Sequence, residues 1–155
     1  VVIEQSPASG GSPADIAAAR RAGKIASVLS VESAVGLGGS LSPLRVWHAA
    51  GVRILTLCHN ETLAWIDSAT DAPRHGGLTD FGRALVAECN RIGMIVDLAH
   101  ASPKAQHDVL DVAAAPLLAA PLPTATTGAV TATQAQSVPA WRVGAGLQAD
   151  PSVRF

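Results

Sequence analysis

The sequence predicts an α/β fold built on a parallel sheet, and three observations carry that prediction. Four short apolar runs, residues 25–31 (IASVLSV), 52–57 (VRILTL), 94–98 (MIVDL) and 115–120 (APLLAA), alternate with stretches of helical periodicity. Helix signals punctuate the gaps: Ser12-Pro13, Ser42-Pro43 and Ser102-Pro103 suit helix starts, and Gly23, Gly51 and Gly93 stand where helices stop. Glu32, His59 and His100 fall at or just past three successive strand ends. In parallel α/β folds that is where ligands bind.

Taken in order, residues 13–22 (PADIAAARRA) read as a short helix before the first strand. The glycine-rich segment after that strand, SAVGLGGS, matches no phosphate loop, because no lysine follows its glycines. A helix from Ser42-Pro43 carries Leu44 and Trp47 on one side, and the second strand follows. The loop at residues 60–77 (NETLAWIDSATDAPRHGG) is much longer than an ordinary βα connection. Loops of that length are more often functional than idle. Thr79 then caps a helix whose Phe81, Leu85, Cys89 and Ile92 share one face. The third strand is apolar enough to be covered on both faces. Pro103 opens the next helix, with Ala105, Val109 and Val112 aligned on one side, before the fourth strand.

The order β-α-β-α-β-α-β fits a barrel, in which the three strand ends would share one rim, and it fits an open doubly wound sheet equally well. Beyond residue 120 the composition shifts to Pro, Thr, Ala and Gly. Residues 1–120 are therefore expected to form the folded part and residues 121–155 an irregular tail.

With 155 residues, 48% of them hydrophobic, the chain can bury a real core. A net charge of −1 and 3% aromatics argue against nucleic acid or an anionic membrane surface as partner. Neither a signal peptide nor a membrane span is expected, and the cytoplasm is the default compartment. Cys58 and Cys89 are too few for a disulfide framework, and both are expected to pack in the core.

A carboxylate and two imidazoles are suitable ligands for divalent metals such as zinc. Such ions promote amide hydrolysis by polarising the carbonyl. Asp97 lies inside the third strand, and a buried aspartate there would support the site from behind. Asp67 and Asp71 in the long loop suit either turn caps or the lining of a mouth, with turn caps preferred. His48, His75 and His107 lie away from the strand ends and read as surface or packing residues.

Four segments taken together carry a family resemblance: GKIASVLSVE (residues 23–32), RILTLCHN (53–60), WIDS (65–68) and GGLTDFGRALVAECNRIGMIVDLAHAS (76–102). In this order and spacing they resemble the membrane, or renal, dipeptidase family over residues 12–116. The resemblance implies a (β/α)₈ TIM-type barrel with two zinc ions that cleaves dipeptides and, in some members, other small amides. By resemblance Glu32 matches the carboxylate bridging both metals. His100 matches a ligand of the second metal, and His59 matches the histidine that contacts substrate and stabilises the tetrahedral intermediate.

The departures are equally specific. No His-x-Asp pair for the first metal precedes the first strand, Pro121 stands where a further histidine ligand is expected, and Ser33-Ala34 replaces a Gly-Gly pair. A whole barrel takes about 250 residues. The expectation is thus a partial barrel of about four β/α units with at most a partial zinc site. Such a chain should have little activity alone. Two rivals are a half-barrel interaction module that pairs with itself, as a homo-oligomer, or with another chain, and a small flavodoxin-like binding domain.

Overall fold

The computed structural model describes residues 11–119. The sheet comprises β1 (Leu29–Val31), β2 (Val52–Thr56), β3 (Ile95–Asp97) and β4 (Leu117–Leu118). Each strand pairs in parallel with its successor, giving the order β1-β2-β3-β4. A flavodoxin-like sheet would seat β1 between β2 and β3. The observed order removes that rival and is the winding of a barrel.

Four helices connect or precede the strands. Ser12 caps α1 (Pro13–Arg21) by accepting from the Asp15 N–H. A short 3₁₀ turn over Ala34–Leu37 follows β1, and α2 (Ser42–Ala49) leads into β2. Thr79 accepts from the Gly82 N–H at the start of α3 (Asp80–Ile92), and Gly93 ends that helix in the left-handed region at φ 80°. Ser102 accepts from the Ala105 N–H to cap α4 (Pro103–Val112).

Register explains which faces are buried. Val31, Leu55, Val96 and Leu117 are aligned across the four strands. They lie in or against the apolar core with Leu44 of α2, Leu85 and Cys89 of α3, and Ala105 and Val109 of α4. Alternation puts Ser30, Ile54, Ile95 and Leu118 on the other face. There Ile95 remains 40% exposed and Leu118 44%. The expectation that the third strand is covered on both faces therefore fails: among the described residues, helices cover one face.

The strands are also shorter than their apolar runs. The β1–β2 ladder starts at Leu29 opposite Val52, the first residue of β2, so residues 25–28 extend past the end of their neighbour. Ile25 is accordingly 82% exposed rather than buried. Both cysteines are free and buried, as read from the sequence. No described helix is long and apolar enough to cross a membrane. The tail expected from residue 121 lies outside the described residues, and so does Pro121.

Candidate metal and catalytic site

Glu32 directly follows β1. His59 and His100 each stand three residues past the last residue of their strands, Thr56 and Asp97. Those two residues are register partners. Equal offsets from a paired position deliver the two imidazoles side by side, with ring centroids 4.3 Å apart. Glu32 Oε1 lies 3.4 Å from His100 Nε2 and 3.6 Å from His59 Nε2. One donor atom from each residue falls within 4.8 Å of the others. No other histidine joins this group among the described residues.

The spacing is informative. Both separations are longer than a good N–H···O hydrogen bond of about 2.9 Å. A tetrahedral zinc with ligand bonds of about 2.1 Å holds neighbouring ligand atoms about 3.4 Å apart. Donor chemistry and distance therefore both fit a divalent metal. Exposure grades across the group, from 64% at the Glu32 side chain through 47% at His59 to 20% at His100.

Backbone conformation sets this site apart. The non-glycine residues with positive φ among the described residues are Ser33 at 71° and His100 at 66°. One follows Glu32 and the other is itself a donor. Such strain gathers at functional sites.

The Asp97 carboxylate accepts from Thr56 and Ala99 rather than from an imidazole. Thr56 Oγ1 donates to its Oδ2 at 2.7 Å and the Ala99 N–H to its Oδ1 at 3.0 Å. Those bonds fix the end of β3, three residues before His100. His100 Nδ1 is buried with no hydrogen-bond partner.

The long loop is tied down by Asp67, which is 1% exposed. Its carboxylate accepts from the backbone N–H groups of Arg74, His75 and Gly77. Burial pushes this carboxyl up, but the three N–H donors and the nearby His75 imidazole outweigh it and hold it below its ordinary range. Asp71 accepts from the N–H groups of Thr62 and Ala72, so both loop aspartates are the turn caps expected of them. Burial, and next the Asp67 charge, push the Cys58 thiol up to about 12, which leaves it a packing residue. His48 is half-buried, and His75 and His107 are exposed. Sequence reasoning missed Ser68, which is 2% exposed and bonds to both histidine loops. The WIDS segment was the one available signal.

Solved structures of the same shape fix the class. The probable dipeptidase PvdM from Pseudomonas aeruginosa is 34% identical, with a TM-score of 0.67 over 70% of this chain and 29% of that one. A metallo peptidase from Rhodobacter sphaeroides, solved with a phosphinate mimic of the dipeptide L-Ala-D-Ala, is 30% identical with a TM-score of 0.63, covering 68% of this chain and 32% of that one. The fold is thus part of a TIM-type metallohydrolase barrel. Among curated relatives, dipeptidase tcpJ of Claviceps purpurea is 52% identical over 99 residues, 63% of this chain and 23% of the relative. Dipeptidase aclJ of Aspergillus oryzae is 49% identical over 100 residues, with 62% and 23% covered. The chain belongs to the membrane dipeptidase family, peptidase family M19, which it matches over residues 7–129. It spans about a quarter (23%) of the length of these curated relatives. A metallopeptidase family implies a metal, and Glu32, His59 and His100 are the described residues that suit one.

Proposed function

We propose that the chain carries part of a zinc-dependent dipeptidase site, in which Glu32 and His100 hold metal and His59 contacts a dipeptide or related small amide. The observation that carries this reading is the convergence of one carboxylate and two imidazoles on the carboxyl ends of adjacent parallel strands. A bound zinc would supply Lewis acidity toward the amide carbonyl and make water a better nucleophile at neutral pH. His59 is the more exposed imidazole, so it meets substrate first. A ring N–H there can donate to the amide oxygen as negative charge develops on it. Asp97 supports the site from behind by fixing the end of β3.

The described residues offer three donors, fewer than two ions need, so the chain alone should hydrolyse dipeptides slowly or not at all. We assign residues 1–120 to the barrel portion and 121–155 to a separate Ala/Pro/Thr-rich segment on composition. The buried free thiols of Cys58 and Cys89 support a cytoplasmic setting. A second reading, a half-barrel module that pairs with its own copy, is favoured by exposed Ile95 and Leu118 on the open sheet face. Sedimentation velocity across a concentration series separates the two, since the module requires a concentration-dependent dimer.

Zinc titration by calorimetry, paired with hydrolysis of an alanine-containing dipeptide, tests the first reading. Binding that is lost in Glu32→Gln and in His100→Ala supports it. Binding unchanged by both substitutions overturns it.

A further inference from the structure

The two imidazoles belong to different β/α units, yet one short segment of the long loop is stitched to both. Ser68 Oγ donates to the His59 carbonyl at 2.9 Å. The Ala69 N–H donates to the His100 carbonyl at 2.8 Å, and Ser68 Oγ lies 3.3 Å from that same carbonyl. Flanking bonds extend the seam on each side. Thr70 Oγ1 donates to the Asn60 carbonyl at 3.0 Å and the Ser68 N–H to Thr62 Oγ1 at 3.1 Å. The Ser102 N–H donates to the Asp67 carbonyl at 2.9 Å. Ser68 also pairs with Ala101 in an isolated antiparallel bridge.

We infer that Ser68 is a positioning residue: its hydroxyl, with the adjacent Ala69 N–H, locks the main chains of His59 and His100 to each other and so sets the spacing of their rings. The inference rests on the metal-site reading proposed above and adds to it the residue that aligns the site. The physical need is clear. His100 holds a left-handed φ of 66° that a non-glycine residue leaves unless its surroundings fix it. Short strands alone give little hold, since β3 ends at Asp97 and both histidines lie beyond the ladder. A hydroxyl shielded from water makes a firm fastening, because exchange for a water partner is blocked. Positional errors of about 1 Å in such groups cost on the order of 10²-fold in function.

The experiment uses the full chain as wild type, Ser68→Ala and Ser68→Thr. Zinc affinity is measured where all three are folded, beside histidine Cε1–Hε1 spectra recorded without metal. Ser68→Ala should weaken zinc binding by about 10–100-fold. In the metal-free spectra it should move the His59 and His100 signals and leave those of His48, His75 and His107 in place. Ser68→Thr restores the hydroxyl and should return affinity to within about threefold. A merely structural role would lower stability without moving the affinity of the folded protein. Unchanged His59 and His100 signals in Ser68→Ala overturn the inference. If the wild type binds no zinc, the metal reading fails and the metal-free spectra still decide the role of Ser68. If Ser68→Ala does not fold, hydrogen exchange of the wild-type Ala69 amide decides: protection supports the lock, and exchange at the unprotected rate overturns it.

Discussion

Replacing Asp67 with asparagine should destabilise the protein more than any other single-atom exchange in the long loop. Oδ1 of Asp67 accepts from the Arg74 N–H at 2.8 Å and the His75 N–H at 3.0 Å, and Oδ2 accepts from the buried Gly77 N–H at 2.8 Å. Asparagine keeps one acceptor oxygen and turns the other into an NH₂ group. Donor then faces donor at Gly77. A hydrogen bond to a charged group contributes roughly 1.5–3 kcal/mol, and a buried N–H left without an acceptor costs about 1–3 kcal/mol. Arg74 and His75 belong to exposed residues, so water can replace part of what they lose. Asp67→Asn should therefore lose about 2–3 kcal/mol, and Asp67→Ala, which orphans all three donors, about 3–5 kcal/mol.

The pH dependence has a definite sign. The folded carboxyl is held below its ordinary range, so the unfolded chain binds its proton first. The stabilisation from Asp67 is full above the unfolded value of about 3.9 and is lost as pH falls through the lower, folded value. Urea unfolding of wild type and Asp67→Asn at pH 7, then stepwise toward pH 3, reads both quantities. The gap between the two proteins should narrow below about pH 4. A gap under about 0.5 kcal/mol at pH 7, or one that widens on acidification, refutes the reasoning.

Three further substitutions test other parts of the fold. Ser33 holds φ 71° and ψ 120° with one weak cap to the Val35 N–H at 3.4 Å. Relief of roughly 1–3 kcal/mol of strain outweighs the entropy cost of glycine, so Ser33→Gly should stabilise by about 1 kcal/mol and raise Tm by several degrees in calorimetry. Gly77 has φ 123°, and a Cβ there would overlap Asp108 Oδ2, which also receives the Leu78 N–H. Gly77→Ala should cost more than about 3 kcal/mol, seen as a large drop in the urea midpoint. Arg91 and then Arg45 hold the Glu88 carboxyl down at about 2. The stability difference between wild type and Glu88→Gln should be full at neutral pH and vanish as pH falls from about 4.5 toward 2, in parallel urea titrations.

Much of this could be read from residue types because the signals were local. Thr79 before a periodic helix and Gly93 after it predict both ends of α3, and both caps form. Strand lengths were not local. Apolar runs mark residues that can sit in a sheet, but they do not say where a given pairing begins, and the β1–β2 ladder begins only at Leu29 although residues 25–28 are as apolar as β1. Beyond its place in the WIDS segment, the role of Ser68 was hidden because its partners are not local. Its partners are the carbonyls of residues 59 and 100, and a backbone carbonyl carries no mark in the sequence. The choice between barrel and open sheet was likewise beyond periodicity, and the strand order decided it.

The donor group and the sheet register stand together. His59 and His100 are neighbours because Thr56 pairs with Asp97 and each histidine follows its strand by the same number of residues. A slip of β3 by one residue against β2 would turn Val96 from the core to the open face and bring Ile95 and Asp97 into the core in its place. The same slip would carry His100 along the strand axis by about 3.3 Å, comparable with the 3.4 Å that separates its Nε2 from Glu32. The apolar pattern that buries Leu55 beside Val96 therefore fixes the site as well as the core. Selection for packing alone would hold these imidazoles in line with Glu32.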